Sequence, residues 1–186
     1  SKLAGEQAAM EYTDSLSIVA LRPSGVYGPG DKEVFSFFES LNRHIRPYIG
    51  DSSRKLQLVH VDDLCQSVLA ACERDVQSGR TYHIAESRAY SLREMIDILQ
   101  DASGRWALPL YVPSGIFRVI AAVSEGVFRA VGATPMLTRE KAGELLAEWE
   151  VDVTRAKEEL GFEARISFAQ GAKETFAWYR QEGWLK

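Results

Sequence analysis

The spacing of apolar residues predicts strand and helix in alternation over the first half of the chain and mostly helix over the second. Ser17–Arg22 is a short, β-branched run stopped by Pro23 and reads as a buried strand. Lys55–Val61, Thr81–Ala85 and Leu108–Val112 read as three more. Helical spacing runs over Ser1–Tyr12, and over Glu33–Arg46 with Val34, Phe37, Phe38, Leu41 and Ile45 on one face. A third helix, Asp63–Arg74, has Asp62 placed as its cap and Leu64, Val68, Ala71 and Cys72 facing inward. Ser91–Glu94 forms a capping box for Leu92–Ala102, whose apolar stripe is Met95, Ile96 and Leu99. Pro113–Val131 is a long amphipathic helix, and Thr138 starts another. Asp152 caps a short helix that ends at Gly161. A second capping box, Ser167–Gln170, opens the last helix, which turns Ala172, Phe176 and Tyr179 inward. After the first strand, PSGVYGPGD packs two prolines and three glycines into nine residues and reads as a turn-rich loop.

This order implies an α/β fold, a parallel layer with a helical satellite. No internal repeat or low-complexity segment interrupts it. No G-x-G-x-x-G turn follows any strand: Gly25, Gly28 and Gly30 have the wrong spacing, and Pro29 breaks them. Ser1–Tyr12 reads as helix yet lacks a start signal, since Lys2 already stands inside the pattern.

Composition narrows the classes. The chain has 186 residues, 46% hydrophobic and 26% charged, with a net charge of −4, and no Lys/Arg run dense enough to track phosphates. Nucleic-acid partners are therefore discounted. Cys65 and Cys72 lie two helical turns apart, about 10 Å along the axis, too far to bridge. They read as reduced core residues of a cytoplasmic protein, because a redox or metal pair lacks a CxxC or a nearby His. No metal site is expected. The most apolar region, Trp106–Val131, is broken by Pro109, Pro113, Arg118, Glu125 and Arg129, so no membrane span is expected. Ile116, Phe117, Ile120 and Phe128 are read as a core-facing stripe, with a peripheral membrane contact as the alternative.

Five stretches, in order, carry a resemblance: SKLAGE (1–6), LRPSGVYGPGD (21–31), LVHVDDLCQSVLAA (58–71), TYHIAESRAYSLREMIDIL (81–99) and VDVTRAKEELGFEARISFAQGAKETFAWYRQEGWL (151–185). Together they resemble the extended short-chain dehydrogenase/reductase superfamily, whose members include nucleotide-sugar epimerases and dehydratases, dihydroflavonol reductases and 3β-hydroxysteroid dehydrogenases. The first resembles the end of the Y-x-x-S-K-x-x-x-E helix, with Lys2 at its lysine. The resemblance implies that residues 1–186 are the C-terminal portion of an NAD(P)-binding Rossmann-like fold with a mostly helical substrate-binding subdomain. The tyrosine, ahead of Ser1, and the glycine-rich turn would then lie upstream.

In such a motif tyrosine and lysine share one helix face. A phenol of pKa about 10 is a poor proton donor or acceptor at neutral pH, and a nearby ammonium lowers that value. The tyrosine then exchanges a proton with a substrate hydroxyl or carbonyl while hydride moves to or from nicotinamide. The resemblance gives Lys2 this catalytic role and a bond to the nicotinamide ribose. It sets Pro23, Ser24, Gly25 and Val26 against the nicotinamide carboxamide; Pro23 fixes chain direction and Gly25 permits close approach, unless the segment is only a structural turn. Tyr27, Leu56 and His60 are candidate substrate contacts, although Tyr27 could pack under the loop and His60 could be a packing residue. Asp62 and Asp152 are read as caps, and His44 and His83 have no assignable partner.

Three departures separate the chain from nucleotide-sugar enzymes. Gly25 stands where they have Asn. Leu56 stands where they carry a diphosphate-gripping Arg, for which Arg54 or Lys55 could substitute only by a slipped register. LTREKAGELLAEWEVDVTRA lacks their R-x-G-D element. The expected function is therefore an NAD- or NADP-dependent oxidoreductase acting on a hydroxyl or ketone of a small, partly apolar substrate, with residues 1–186 inactive by themselves. The alternatives are a nucleotide-sugar epimerase or dehydratase, and a non-catalytic cofactor sensor or interaction protein of the same fold. A homodimer is left open.

Overall fold

The structure, a computed structural model, describes residues 2–130 (Ala130 by its backbone), 132, 135 and 137–185. The described elements begin with α1 (Lys2–Met10), β1 (Val19–Pro23), β2 (Gly25–Tyr27), α2 (Phe35–Asn42), β3 (Ile45–Ile49), β4 (Lys55–Leu56), β5 (Leu58–His60) and α3 (Val61–Glu73). They continue with β6 (Arg80–Ile84), β7 (Tyr90–Ser91), α4 (Leu92–Ser103), β8 (Leu108–Val112), α5 (Ser114–Ala130), α6 (Arg139–Leu146), α7 (Thr154–Leu160) and α8 (Phe168–Gln181). Contacts divide the chain into two compact units, each assembled from three segments. The first holds Ser1–Asp31, Gln57–Ala89 and Glu150–Thr175; the second holds Lys32–Leu56, Tyr90–Trp149 and Phe176–Lys186.

The first unit is the α/β layer. β1 pairs in parallel with β6, from Val19 opposite Arg80 to Pro23 opposite Ile84. β2 pairs in parallel with β5, from Gly25 opposite Leu58 to Tyr27 opposite His60. Val59, Tyr82, Ile84, Ala156, Leu160 and Phe162 form the core, with Leu21, Val26 and Leu64 packed against them. The glycine- and proline-rich stretch expected as loop thus contains strand β2. Three residues are too few for a period-2 signal, and their pairing partner lies more than thirty residues downstream. The expected strand Lys55–Val61 is broken at Gln57. Its side chain leaves the ladder to donate to Glu86 O at 3.0 Å and accept from Val151 N at 2.6 Å.

Helix α3 corrects two expectations. His60, not Asp62, is the N-cap: its Nδ1 accepts from Asp62 N at 3.3 Å. The inward face is set by Asp63 and Ser67, both buried, so Val68 is 46% exposed and Cys65 and Cys72 are exposed free thiols rather than core residues. Asp63 Oδ2 accepts from Arg165 N and Ile166 N at 3.1 and 2.9 Å, which turns this carboxylate inward and rotates the apolar frame away from the one predicted. Asp152 likewise stands one position before the N-cap of α7, Val153, and accepts from Thr154 N at 2.9 Å. Gly161 ends α7 at φ +64°, as expected for a left-handed cap.

The second unit is mostly helical. The helix expected to run to Arg46 ends at Asn42, and Ile45–Ile49 is strand β3, paired in parallel with β8. His44 makes the break at φ +63°, its Nδ1 is 2.8 Å from Trp106 O, and its ring stacks on Trp106. β4 pairs antiparallel with β7, and the Ser91–Glu94 capping box opens α4 as predicted. Phe38 packs on Phe176 and Tyr179, and Phe35 on Tyr179 and Trp184, so the C-terminal aromatics dock the end of α8. Phe117 and Ala121 of α5 pack on Ala142 of α6.

Candidate functional site

The residues singled out from sequence gather at three places. Lys2 is exposed in the first turn of α1, four residues before Glu6 and so on the same helix face. Arg22 Nε donates to Glu6 Oε2 at 3.0 Å, and a second guanidinium nitrogen meets Oε1. This pair holds the Glu6 carboxyl below the usual carboxylate range, chiefly through the hydrogen bond from Arg22. No residue of α1 is buried, so the pair is a defined tie from the helix bearing Lys2 to the residue before Pro23. Sequence reading assigned Glu6 and Arg22 no role, although both stand inside the quoted motifs.

The loop from Pro23 to Val26 leaves the C-terminal end of β1, the end at which open parallel sheets bind ligands. Ser24 N donates to Ile84 O at 3.0 Å, which fixes the backbone. Its hydroxyl oxygen is buried with no partner among the described residues. An orphaned buried hydroxyl at this strand end fits an amide-bearing ligand such as a nicotinamide carboxamide. Gly25 has a packing explanation as well: a Cβ there would stand 2.5 Å from Leu58 Cδ2, so a larger residue would require the Leu58 side chain to turn aside.

Tyr27 and His60 lie together in the interior, each 1% exposed. Tyr27 meets His60 and Phe168 edge-on, with ring centroids 5.3 and 5.1 Å away. A Cβ on Gly171 would fall 2.3 Å from the Tyr27 hydroxyl oxygen and 2.8 Å from His60 Cδ2, so α8 walls this cluster. His60 Nδ1 accepts the α3 cap bond, which places the proton of the neutral ring on Nε2, a buried atom without a partner among the described residues. The geometry makes Tyr27 and His60 the floor beneath the loop.

Leu56 lies in the second unit, half-buried, bonded along β4 to Tyr90 and bridged to Trp149. Arg54, the alternative diphosphate cation, is 8% exposed. Its guanidinium donates to the carbonyls of Ile49, Asp51 and Leu145. Lys55 stands 4.0 Å from Glu94. His83 faces Arg22 in the β1–β6 register. Among the described residues no group of three His, Cys, Asp or Glu side chains could hold a metal ion.

Comparison with known proteins agrees with this reading of the fold. Residues 1–85 match the NAD dependent epimerase/dehydratase family. A YbjS protein from Escherichia coli is 30% identical, over 89% of this chain and 50% of its own. A ceramide reductase from Caulobacter vibrioides is 26% identical, over 100% of this chain and 57% of its own. The structure of a UDP-glucose 4-epimerase from Thermotoga maritima superposes with a TM-score of 0.72 at 23% identity, covering 97% of this chain and 52% of that one. The chain spans about half the length of the curated relatives it matches. It belongs to the extended short-chain dehydrogenase/reductase superfamily and carries part of a Rossmann-like α/β fold with a helical second unit.

Proposed function

We propose that these residues form the nicotinamide-side edge and the substrate subdomain of an NAD(P)-dependent oxidoreductase that interconverts a hydroxyl and a ketone on a partly apolar substrate. The observation that carries the reading is the unpartnered Ser24 hydroxyl at the C-terminal end of β1, beside the Arg22–Glu6 tie to the helix of Lys2. NAD or NADP, when bound, supplies the hydride acceptor or donor. Lys2 holds its ammonium near the phenol that the family places one turn earlier and favours the phenolate, so that this oxygen gives or takes the substrate proton. Ser24 Oγ and the backbone of Pro23 and Val26 orient the carboxamide. Tyr27 and His60 keep that segment in place from below.

An apolar substrate is favoured over a nucleotide sugar because Arg54 is committed to three carbonyls and is closed to a diphosphate. The relative from Caulobacter vibrioides, by its name a reductase of a lipid, points the same way. The two free thiols suit a reducing, cytoplasmic compartment. Residues 1–186 alone, lacking a glycine-rich phosphate turn, are expected to show no turnover and no sub-micromolar NADH or NADPH affinity in a fluorescence titration. In the intact protein, Lys2→Met is expected to lower kcat for ketone reduction by ~10²-fold or more. Epimerisation of a UDP-sugar without net NAD(P)H consumption would replace this reading with the epimerase one.

A further inference from the structure

Helix α5 is apolar on two opposite faces. Phe117 and Ala121, 8% and 0% exposed, point inward. Ile116, Val119, Ile120, Val123 and Val127 recur at helical spacing on the other side and are 49–63% exposed. An exposed aliphatic stripe opposite a charged side is the pattern of a helix that lies at an apolar–water boundary. We propose that this outward stripe seats on a lipid bilayer, with α5 lying in the plane of the membrane interface.

Three observations select lipid as the occupant. The stripe contains only aliphatic side chains, the chemistry of the hydrocarbon it would enter. The charges of α5 are confined to Arg118, Glu125 and Arg129, which share a side of the helix clear of the stripe. Glu125, the one acid, is neutralised: it pairs with Arg129 at 2.6 Å and accepts from Arg139 N at 3.0 Å. With the stripe immersed, the arginines stand at headgroup level, the arrangement of an interfacial helix. Trp106 and Tyr111, 65% and 59% exposed on the segment leading into α5, add the side chains that favour the membrane–water boundary. The helix has 17 residues, and no helix among the described residues is long and apolar enough to cross a membrane, so α5 lies on the bilayer rather than through it.

The test is flotation of the intact protein with vesicles of phosphatidylcholine and phosphatidylglycerol (3:1). The wild type is expected to float. Val119→Asp combined with Val123→Asp should lower the vesicle-bound fraction at least ~10-fold while leaving the thermal melt unchanged, because both positions are exposed. Val123→Trp should shift its emission to shorter wavelength when vesicles are added. A wild type that stays in the lipid-free fraction overturns the proposal. So does an aspartate pair that lowers Tm by several degrees or converts a dimer to monomer, because the stripe is then covered by polypeptide. The proposal does not depend on the oxidoreductase reading: flotation without ketone reduction would sustain this inference and sink the other.

Discussion

Two buried charged side chains, one in each unit, work in opposite senses. Asp63, 3% exposed, accepts two backbone N–H bonds from Arg165 and Ile166 and so holds a segment one hundred residues away. Arg54, 8% exposed, donates to three backbone carbonyls, two in its own turn and one at Leu145. Neither is spent on a ligand. The contrast extends to the glycines. Gly171 of the first unit is walled in by Tyr27 and His60, whereas Gly143 of the second has no atom within 4 Å of where its Cβ would stand. The difference is local: Gly50 of the second unit is also crowded, its Cβ falling 2.6 Å from Leu146 Cδ2, and Gly5 of the first is open.

The largest effect expected from this contrast is at Gly171. Valine there drives carbon into the Tyr27 hydroxyl and His60, and neither ring can retreat because both are fully packed. We expect a loss of about 3 kcal/mol, read by urea denaturation, with the amides of β2 and β5 exchanging hydrogen faster than those of β3 and β8. An unchanged melt would show that the Tyr27–His60 cluster is not closed against α8.

Removing the buried charges comes next. Asp63→Ala strands two backbone N–H groups in the interior and should cost about 2–3 kcal/mol. Asp63→Asn keeps one acceptor oxygen and should cost less. Arg54→Met keeps the length of the side chain but releases three carbonyls, each of which tolerates exposure better than an orphaned N–H, so about 2 kcal/mol is expected. The order Asp63→Ala above Arg54→Met is the sensitive point, and its reversal would contradict the contrast drawn between the units.

Much of this architecture is legible in the sequence, and what is not has identifiable causes. The Ser91–Glu94 box, the Gly161 cap, the strand at Leu108–Val112 and the inward face of α8 all obey local rules and are found where local rules put them. Strand β2 and the early end of α2 were not legible, because each depends on a partner strand distant in sequence. The burial of Asp63 and Ser67 was hidden for a different reason: hydrophobic periodicity counts them as surface, while the backbone groups they satisfy belong to other segments or to the same turn. Of the candidate site, the motifs pointed to Lys2 and the Pro23–Val26 loop. They said nothing of the Glu6–Arg22 tie or the orphaned Ser24 hydroxyl, which only the folded backbone brings into view.

A smaller, pH-dependent difference is expected at Tyr82, which is fully buried in the first unit and donates to Glu159 at 2.7 Å. Burial, reinforced by that carboxylate, pushes its phenol up to about 12. The unfolded chain ionises near the ordinary value of about 10, so between about pH 10 and 12 the unfolded state binds fewer protons than the folded one. Stability contributed by Tyr82 is therefore complete below pH ~10 and is lost as pH rises toward 12. Tyr82→Phe should cost about 1 kcal/mol at neutral pH and flatten the alkaline fall in stability, measured by urea melts at pH 8 and 11. In the second unit, Tyr48→Phe supplies the comparison: its phenol is also raised, by burial first and then Asp97, with Arg46 and Arg93 opposing as Arg80 and Arg155 do at Tyr82, but the rise is the smaller of the two, so its alkaline slope should change less.

The smallest expected effect is also the one of opposite sign. Gly143 sits inside α6, between Ala142, which is fully buried, and Glu144, which is exposed. Glycine in a helix interior costs conformational entropy that alanine does not, and nothing stands in the way of an added methyl group. Gly143→Ala should thus stabilise the protein by about 0.5–1 kcal/mol, a rise of a few degrees in Tm. The identical exchange at Gly171 destabilises, because the same methyl group meets a phenol oxygen. Measured side by side, the two substitutions ask one question of a closed and an open position. If Gly143→Ala also destabilises, some part of the chain or a partner closes over α6, and the open space beside Gly143 is a property of these residues only when uncovered.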